Sequence, residues 1–246
     1  LHLTSTAGTL TLRTLVPAGP GRMNLAGQAV HIESSLYRAD ADLTLTAGLG
    51  GIVVADGVEI DTQRGALTLA ARGDIRAGLL RTAGALTLTS SEGRIVGGTL
   101  EVSRDAAAAP LPPPAQVRLS GALGVTFSTF APTADLDARS ALGSVTLLAG
   151  APQRLHVQAA EDVAVFGSGL GVSWMGNEVE LVAGRDLQLG GRAGLVHLSA
   201  GRDIVFNDIA GIAALQATAG RDIRMADTAE PPAWIWIEGA GGQFAL

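Results

Sequence analysis

The sequence contains neither cysteine nor lysine, and only 4% of its 246 residues are aromatic. Without cysteine, disulfide scaffolds, thiolate metal sites and cysteine nucleophiles are excluded. Without lysine, a P-loop for binding phosphate is excluded. All 17 basic residues are therefore arginine, and with 23 acidic residues they give a formal net charge of −6. This acidic balance argues against nucleic acid or an anionic membrane surface as a partner.

The abundant residues are aliphatic side chains and glycine. Hydrophobic residues make up 47% of the chain, and there are 33 glycines and 10 prolines. Such a composition favours a folded core interrupted by turns over long helices. The longest uncharged run, Leu119 to Ala134, is broken by Gly, Ser, Thr and Pro, so we expect no membrane insertion. Because the sequence begins within a strand pattern, we expect it to be an internal piece of a longer protein.

A short repeat recurs along the chain. Copies of Ala-Gly-Arg-Asp begin at Ala183, Ala200 and Ala219, and each follows a stretch in which aliphatic and polar residues alternate. Weaker copies begin at residues 43, 67, 86, 145 and 155. Alternation gives each strand one buried face, and a unit of about 20 residues forms a core only by stacking on its neighbours. The pattern predicts an all-β fold, a right-handed parallel β-helix (β-solenoid) of roughly 12 coils with repeats of about 17–24 residues.

Two alternatives concern the architecture. A sandwich or closed barrel would also show short alternating strands, but it would not need a turn that recurs at this spacing. We expect solenoid coils over 1–104 and 117–227, with a terminal coil or capping segment over 228–246. The Pro/Ala-rich segment 105–116 is either a loop that bulges from one coil or a hinge between two stretches of solenoid. Strand pattern resumes immediately afterwards, which favours the loop.

The repeated turns are expected to be structural, since equivalent charges in neighbouring coils would form rows that set the register. The turn residues are Gly184, Arg185, Asp186, Gly201, Arg202, Asp203, Gly220, Arg221 and Asp222. Arg72, Gly73 and Asp74 form the tripeptide of integrin ligands, but they occupy the same turn with Gly and Arg exchanged, so a turn variant is the simpler interpretation. Trp234 and Trp236 share one face, where they either close the core of a terminal coil or stack on a sugar.

Carboxylates are the remaining candidates for chemistry, because enzymes on β-helices place several of them on one exposed face. The candidates are Asp56, Glu59, Asp61, Asp135, Asp137, Glu178 and Glu180. No basic residue accompanies them at a recurring spacing, so a solvated acidic surface is the simpler interpretation. Each histidine lies between two aliphatic residues and should point outward, and His156 and His197 are about two coils apart, too far to share a metal. We therefore predict no enzyme activity, no cofactor and no metal site.

The Ala-Gly-Arg-Asp turn after an alternating strand resembles the repeats of filamentous haemagglutinin and related large exoproteins of the two-partner secretion pathway. The resemblance is clear over 179–227 and extends to 43–100 and 142–166. It implies a non-catalytic β-helical shaft of a secreted, adhesin-like or filament-forming protein on a bacterial cell surface. The implied partners are a host or neighbouring cell surface, or further copies of the chain joined end to end or laterally. An outer-membrane secretion partner would recognise regions outside this sequence, which has no Asn-Pro pair.

Two other functions remain open. A polysaccharide-binding or polysaccharide-degrading β-helix would use a lateral groove, and it predicts outward carboxylates and aromatics clustered within about three coils. The stalk of a contact-dependent toxin differs from an adhesin shaft only in the domain that the parent protein carries beyond residue 246.

Overall fold

The computed structural model describes residues 1–13, 21–37, 41–102, 116–130, 135–148, 152–166, 176–226, 235–237 and 244–245. Within these ranges the chain forms 23 β-strands and no helix. The strands are β1 His2–Thr4, β2 Thr9–Leu12, β3 Met23–Ile32, β4 Leu36–Tyr37, β5 Leu43–Val54, β6 Glu59–Asp61, β7 Leu67–Ala71, β8 Ile75–Thr82, β9 Leu86–Ser90, β10 Arg94–Val102, β11 Gln116–Gly121, β12 Gly124–Phe130, β13 Asp135–Ser140, β14 Ser144–Leu148, β15 Arg154–Ala159, β16 Val163–Phe166, β17 Gly176–Ala183, β18 Leu187–Ala200, β19 Asp203–Ile212, β20 Ala214–Ala219, β21 Asp222–Met225, β22 Ile235–Ile237 and β23 Phe244–Ala245.

The strands stack as parallel ladders, in which each strand pairs with the equivalent strand of the next coil. The first ladder runs from β1 through β3, β5, β7, β9, β11, β13, β15, β17, β18 and β20 to β23. A second ladder runs through β2, β3, β5, β8, β10, β12, β14, β16, β18, β19 and β21. A third ladder consists of β4, β6 and the second halves of β8 and β10.

Several strands are long because they bend from one ladder into the next. In β5, Leu43 pairs in the first ladder and Ile52 pairs in the second, with a register irregularity opposite Gly27 and Ala29 of β3. The predicted β-solenoid is therefore confirmed. The repeats stack as predicted, because Ala183, Ala200 and Ala219 pair in register in successive coils.

The solenoid makes about nine turns, fewer than the roughly 12 coils expected from the repeat spacing. The expectation divided the whole chain into units of about 20 residues. However, β1, β2, β22 and β23 at the two ends contain only two to four residues each, so the ladders are short there. Some coils are also longer than the unit, since Leu88 pairs with Leu119 across 31 residues of sequence.

The core is a stack of aliphatic side chains that point inward from all ladders. On the first ladder, one such row is almost fully buried from coil to coil: Met23, Leu43, Leu67, Leu86, Val117, Leu136, Leu155, Val179, Val196 and Leu215. Large rings are rare in the described core, where Phe127 and Phe206 are fully buried. The low aromatic content of the sequence therefore suits a narrow coil in which each layer holds only a few side chains.

The segments that interrupt or end the repeat lie mostly outside the described residues. All of 105–116 except Gln116, the first residue of β11, is outside them, so the choice between a loop and a hinge stays open. In the predicted terminal segment, β22 pairs with β19 and β23 pairs with β20. Among the described residues, no helix is long and apolar enough to cross a membrane.

Candidate functional site

Charged side chains link successive coils at the turn between the first and second ladders. Arg185 donates to the carboxylate of Asp162 in the preceding coil, with its Nε 2.8 Å from Oδ1. In the same way Arg202 donates to Asp186, at 2.7 Å, and Arg221 to Asp203, at 2.8 Å. In each pair the second carboxylate oxygen accepts from Nη2, so the contact is bidentate. We call this series of pairs the turn ladder.

The aspartates of the turn ladder also fix the backbone. Oδ1 of Asp162 accepts the backbone N–H of Asp186 at 3.1 Å, and Oδ1 of Asp186 accepts that of Asp203 at 3.3 Å. The hydrogen bonds from arginine, together with these backbone bonds, hold the pKa of Asp162, Asp186 and Asp203 below its ordinary value, and burial opposes the shift. The pKa of each partner arginine is raised for the same reason. These carboxylates are therefore ionised at neutral pH.

Glycine precedes each arginine of the turn because the coils approach too closely for a side chain. A Cβ placed on Gly201 would lie 2.1 Å from the carbonyl oxygen of Gly184, and one placed on Gly220 would lie 2.1 Å from that of Gly201. Neither distance is compatible with a side chain unless the backbone moves. The repeated Gly-Arg-Asp thus combines close stacking with a bond to the preceding coil.

The tripeptide of Arg72, Gly73 and Asp74 lies in an earlier coil of the same row of turns. Arg72 donates from Nη2 to Glu92 of the following coil at 2.7 Å. Asp74 accepts the backbone N–H of Arg94 at 2.8 Å. Both charged groups of the tripeptide thus have partners within the solenoid. Whether it binds a receptor stays a prediction.

A second row of polar residues follows the outer face of the first ladder. At one position of each coil, register pairing places these residues side by side, in the order Arg118, Asp137, His156, Glu180, His197 and Gln216. Neighbouring coils are about 4.8 Å apart, so basic and acidic groups alternate at that interval. In the earlier coils, the same position is occupied by Thr44, Thr68 and Thr87. The charged part of the face therefore begins at β11.

This charged face is concave. A depression of about 350 Å³ lies over β11, β13, β15 and β17. Asp135 and Asp137 of β13, which have short side chains, line it between the longer Arg118 on β11 and Arg154 on β15. A second depression of about 180 Å³ lies over β17, β18 and β20, and Glu180 lines both. We call the two together the lateral groove.

The charged groups of the lateral groove are paired less uniformly than those of the turn ladder. Arg139, beside the groove, holds Asp137 within the same strand, with Nε 2.8 Å from Oδ1. Nδ1 of His156 lies 3.0 Å from Oε2 of Glu180, and Nε of Arg154 lies 3.7 Å from Oε2 of Glu178. Arg154 and Glu178 are 71% and 56% exposed. The groove thus offers donors and acceptors that remain accessible to solvent.

The other candidate carboxylates lie in different places. Glu59 and Asp61 are on β6 in the third ladder, away from the lateral groove. Nη1 of Arg81 lies 2.6 Å from Oε1 of Glu59, and Nη2 of the same arginine lies 2.6 Å from Oε2 of Glu101 in the next coil. Asp56 is exposed before β6. The structure thus brings together Asp135, Asp137, Glu178 and Glu180, but neither Asp56 nor β6 joins them.

The histidines do not come together as a metal site in the part of the chain that the structure describes. His2 and His197 are exposed, and His31 and His156 are half-buried on outer faces. Glu180 stands between His156 and His197 in register. No group of three or more metal-ligating side chains that could hold an ion occurs within the described residues. Trp234 and the side chain of Trp236 lie outside the described part of the chain.

Sequence reasoning missed the basic members of the lateral groove. Arg118 and Arg154 line it, and His156 faces Glu180. From the sequence alone, no basic residue was assigned to the carboxylates at a recurring spacing. The signal was present in the intervals between coils, because Arg118, Asp137 and His156 are successively 19 residues apart. It was hidden by the next interval, which is 24 residues from His156 to Glu180.

No protein-family model matches the chain, and neither a curated protein nor a solved structure matches it. The class of protein is therefore assigned from the fold alone. The parallel stack of short coils is a β-solenoid, the architecture of β-helical repeat proteins.

Proposed function

We propose that this chain is a non-catalytic structural shaft within a secreted bacterial cell-surface protein similar to filamentous haemagglutinin. The observation that carries the proposal is the continuous stack of parallel coils over one aliphatic core. Each coil contacts only its neighbours, so the length of such a rod grows with the number of coils. About nine turns at about 4.8 Å each correspond to a rod on the order of 40 Å.

The turn ladder supports the same proposal. Its three bidentate pairs join four successive coils, from Asp162 to Arg221, on the outside of the solenoid, while the aliphatic row joins them on the inside. Contacts on both the inside and the outside make the stack of coils resist bending. A segment that projects a tip or a binding region away from a cell needs such stiffness. The Ala-Gly-Arg-Asp turn is also the feature by which the sequence resembles haemagglutinin repeats, and it supports the assignment to that kind of protein.

Labelling of intact cells tests the proposed location. Antibodies raised against the chain should label the surface of unbroken cells of the source bacterium, and external protease should remove the label. A cytosolic protein labelled in parallel controls for broken cells. Signal found only after lysis would contradict the proposal.

A domain replacement tests the structural role itself. In the parent protein, this chain would be replaced either by an unrelated β-solenoid with the same number of turns or by a flexible Gly/Ser linker with the same number of residues. The unrelated solenoid should preserve the distance of an epitope beyond the chain from the cell surface, whereas the linker should not. If both replacements preserve this distance, or neither does, the chain is not a shaft.

A further inference from the structure

The lateral groove is elongated along the axis of the solenoid. Its two depressions lie over six successive strands of the first ladder, from β11 to β20, and they share Glu180. Six strands span five intervals of about 4.8 Å, or about 24 Å. The groove is therefore shaped for several units of an extended polymer and not for one small molecule.

The charge of the groove disfavours polyanions. Four carboxylates line the larger depression, against the guanidinium groups of Arg118 and Arg154. Its formal charge is therefore negative when His156 is neutral. Nucleic acids, sulfated glycans and uronic-acid polymers would be repelled by this surface.

The polar groups of the groove suit hydroxyl groups, which both donate and accept hydrogen bonds. No hydrogen bond or ion pair of the Asp135 side chain occurs among the described residues. The smaller depression adds the hydroxyls of Ser199 and Thr218 and the amide of Gln216.

A peptide strand fits this face less well than a sugar polymer. The backbone N–H and C=O groups of the first ladder already pair between coils, so the face presents side chains and no strand edge. Addition of a strand requires such an edge. The two sets of lining residues contain no aromatic side chain that could anchor a peptide.

We propose that the lateral groove binds a neutral polysaccharide whose chain runs along the solenoid axis. The carboxylates of Asp135 and Glu180 accept hydrogen bonds from sugar hydroxyls, and the guanidinium of Arg118 donates hydrogen bonds to the oxygens of those hydroxyls. The proposal does not depend on the shaft, because a groove on the side of a rod binds its ligand whatever the rod projects.

A glycan array probed with the intact chain gives the first measurement. Neutral hexose polymers should bind, and sulfated or uronic-acid polymers should not. Calorimetry with the best oligosaccharide should then give an affinity that changes less than about twofold between about 50 and about 500 mM NaCl, because the ligand carries no charge.

Two variants locate the site. Asp135→Asn and Glu180→Gln each remove a carboxylate and keep the shape, so each should weaken binding about tenfold or more. Glu33→Gln is the matched control, because Glu33 is an exposed acid paired with Arg13 far along the chain from the groove, and its loss should leave the affinity unchanged. The thermal midpoint of each variant confirms that it is folded.

Three results would overturn the proposal: no glycan bound at millimolar concentration, preference for sulfated polymers, or equal affinity in the two groove variants and the wild type. The unrelated solenoid described above should preserve projection and lose glycan binding. Failure of the groove proposal is thus distinguishable from failure of the shaft proposal.

Discussion

The turn ladder and the lateral groove use the same spacing between coils for different purposes. In the turn ladder each arginine reaches the aspartate of the preceding coil with two hydrogen bonds, and the side chains of Asp186 and Asp203 are only 23% and 7% exposed. In the groove, Glu178 is 56% exposed and lies 3.7 Å from Arg154. Opposite charges alternate in both rows, but two carboxylates of the turn ladder, Asp186 and Asp203, are less exposed than the carboxylates of the groove.

The difference follows from how regular the sequence is. Where Gly-Arg-Asp repeats, every coil presents the same donor and acceptor, so the bonds close between coils and fix the register. Where the residue changes from coil to coil, as from Arg118 to Asp137 to His156, the partners are mismatched in length and leave a depression. Identical turns thus bond the coils to one another, whereas positions that vary from coil to coil leave polar side chains accessible to a ligand.

Gly201→Ala should have the largest effect on stability. The new Cβ would meet the carbonyl oxygen of Gly184 at 2.1 Å, so the coils would have to separate at this turn. We expect a loss of about 1–3 kcal/mol, measured by urea unfolding followed by circular dichroism. Gly8→Ala is the control, because a Cβ there would meet only Ser5 Oγ, at 3.6 Å, in ordinary contact. Equal losses in the two variants would show that close stacking does not explain the glycine.

Acid should weaken the turn ladder as a whole. The pKa values of Asp162, Asp186 and Asp203 are lower in the folded chain than their ordinary value of 3.8, so the folded state holds these protons less tightly than the unfolded state. Their contribution to stability is present above pH 3.8 and is lost as pH falls through the folded pKa values. The thermal midpoint should therefore stay nearly level down to about pH 4 and then fall. No fall below that pH would contradict the assignment.

Asp186→Asn tests a single pair of the turn ladder. The substitution removes the charge that accepts from Arg202 and weakens the bond to the backbone N–H of Asp203. We expect a loss of about 1 kcal/mol and a smaller acid-induced decrease in the thermal midpoint than in the wild type. Glu33→Gln breaks a pair whose side chains are 80% and 44% exposed, and it should cost less than about 0.5 kcal/mol. If both variants lose the same free energy of unfolding, the lower exposure of the Asp186 carboxylate does not strengthen its ion pair.

The sequence predicted the fold well, because the alternation and the repeated turn are local patterns. Ala183, Ala200 and Ala219 already indicated which strands pair. The groove was not predictable in the same way, since finding it requires the register between coils of unequal length. Leu88 and Leu119 are neighbours in the first ladder although 31 residues separate them, so no fixed period aligns the residues around Arg118 with those before it.

Packing details were also beyond the sequence. Gly97 pairs with Phe127 of the next coil, and a Cβ on Gly97 would lie 1.8 Å from Cε1 of that ring. Glycine at this position therefore provides room for one of the few large rings in the core. A glycine within a strand suggests a close approach, but only the register shows which side chain makes it.

Glu178→Gln should have the smallest effect on stability and therefore tests the other half of the comparison. Glu178 contacts Arg154 at 3.7 Å, and both side chains are mostly exposed, so solvent screens the pair. We expect a change in the free energy of unfolding of less than about 0.5 kcal/mol, well below that of Asp186→Asn. Urea unfolding of both variants under the same conditions measures the difference. A loss as large as that of Asp186→Asn would mean that the groove charges hold the coils together as the turn ladder does, and that the two rows do not differ in purpose.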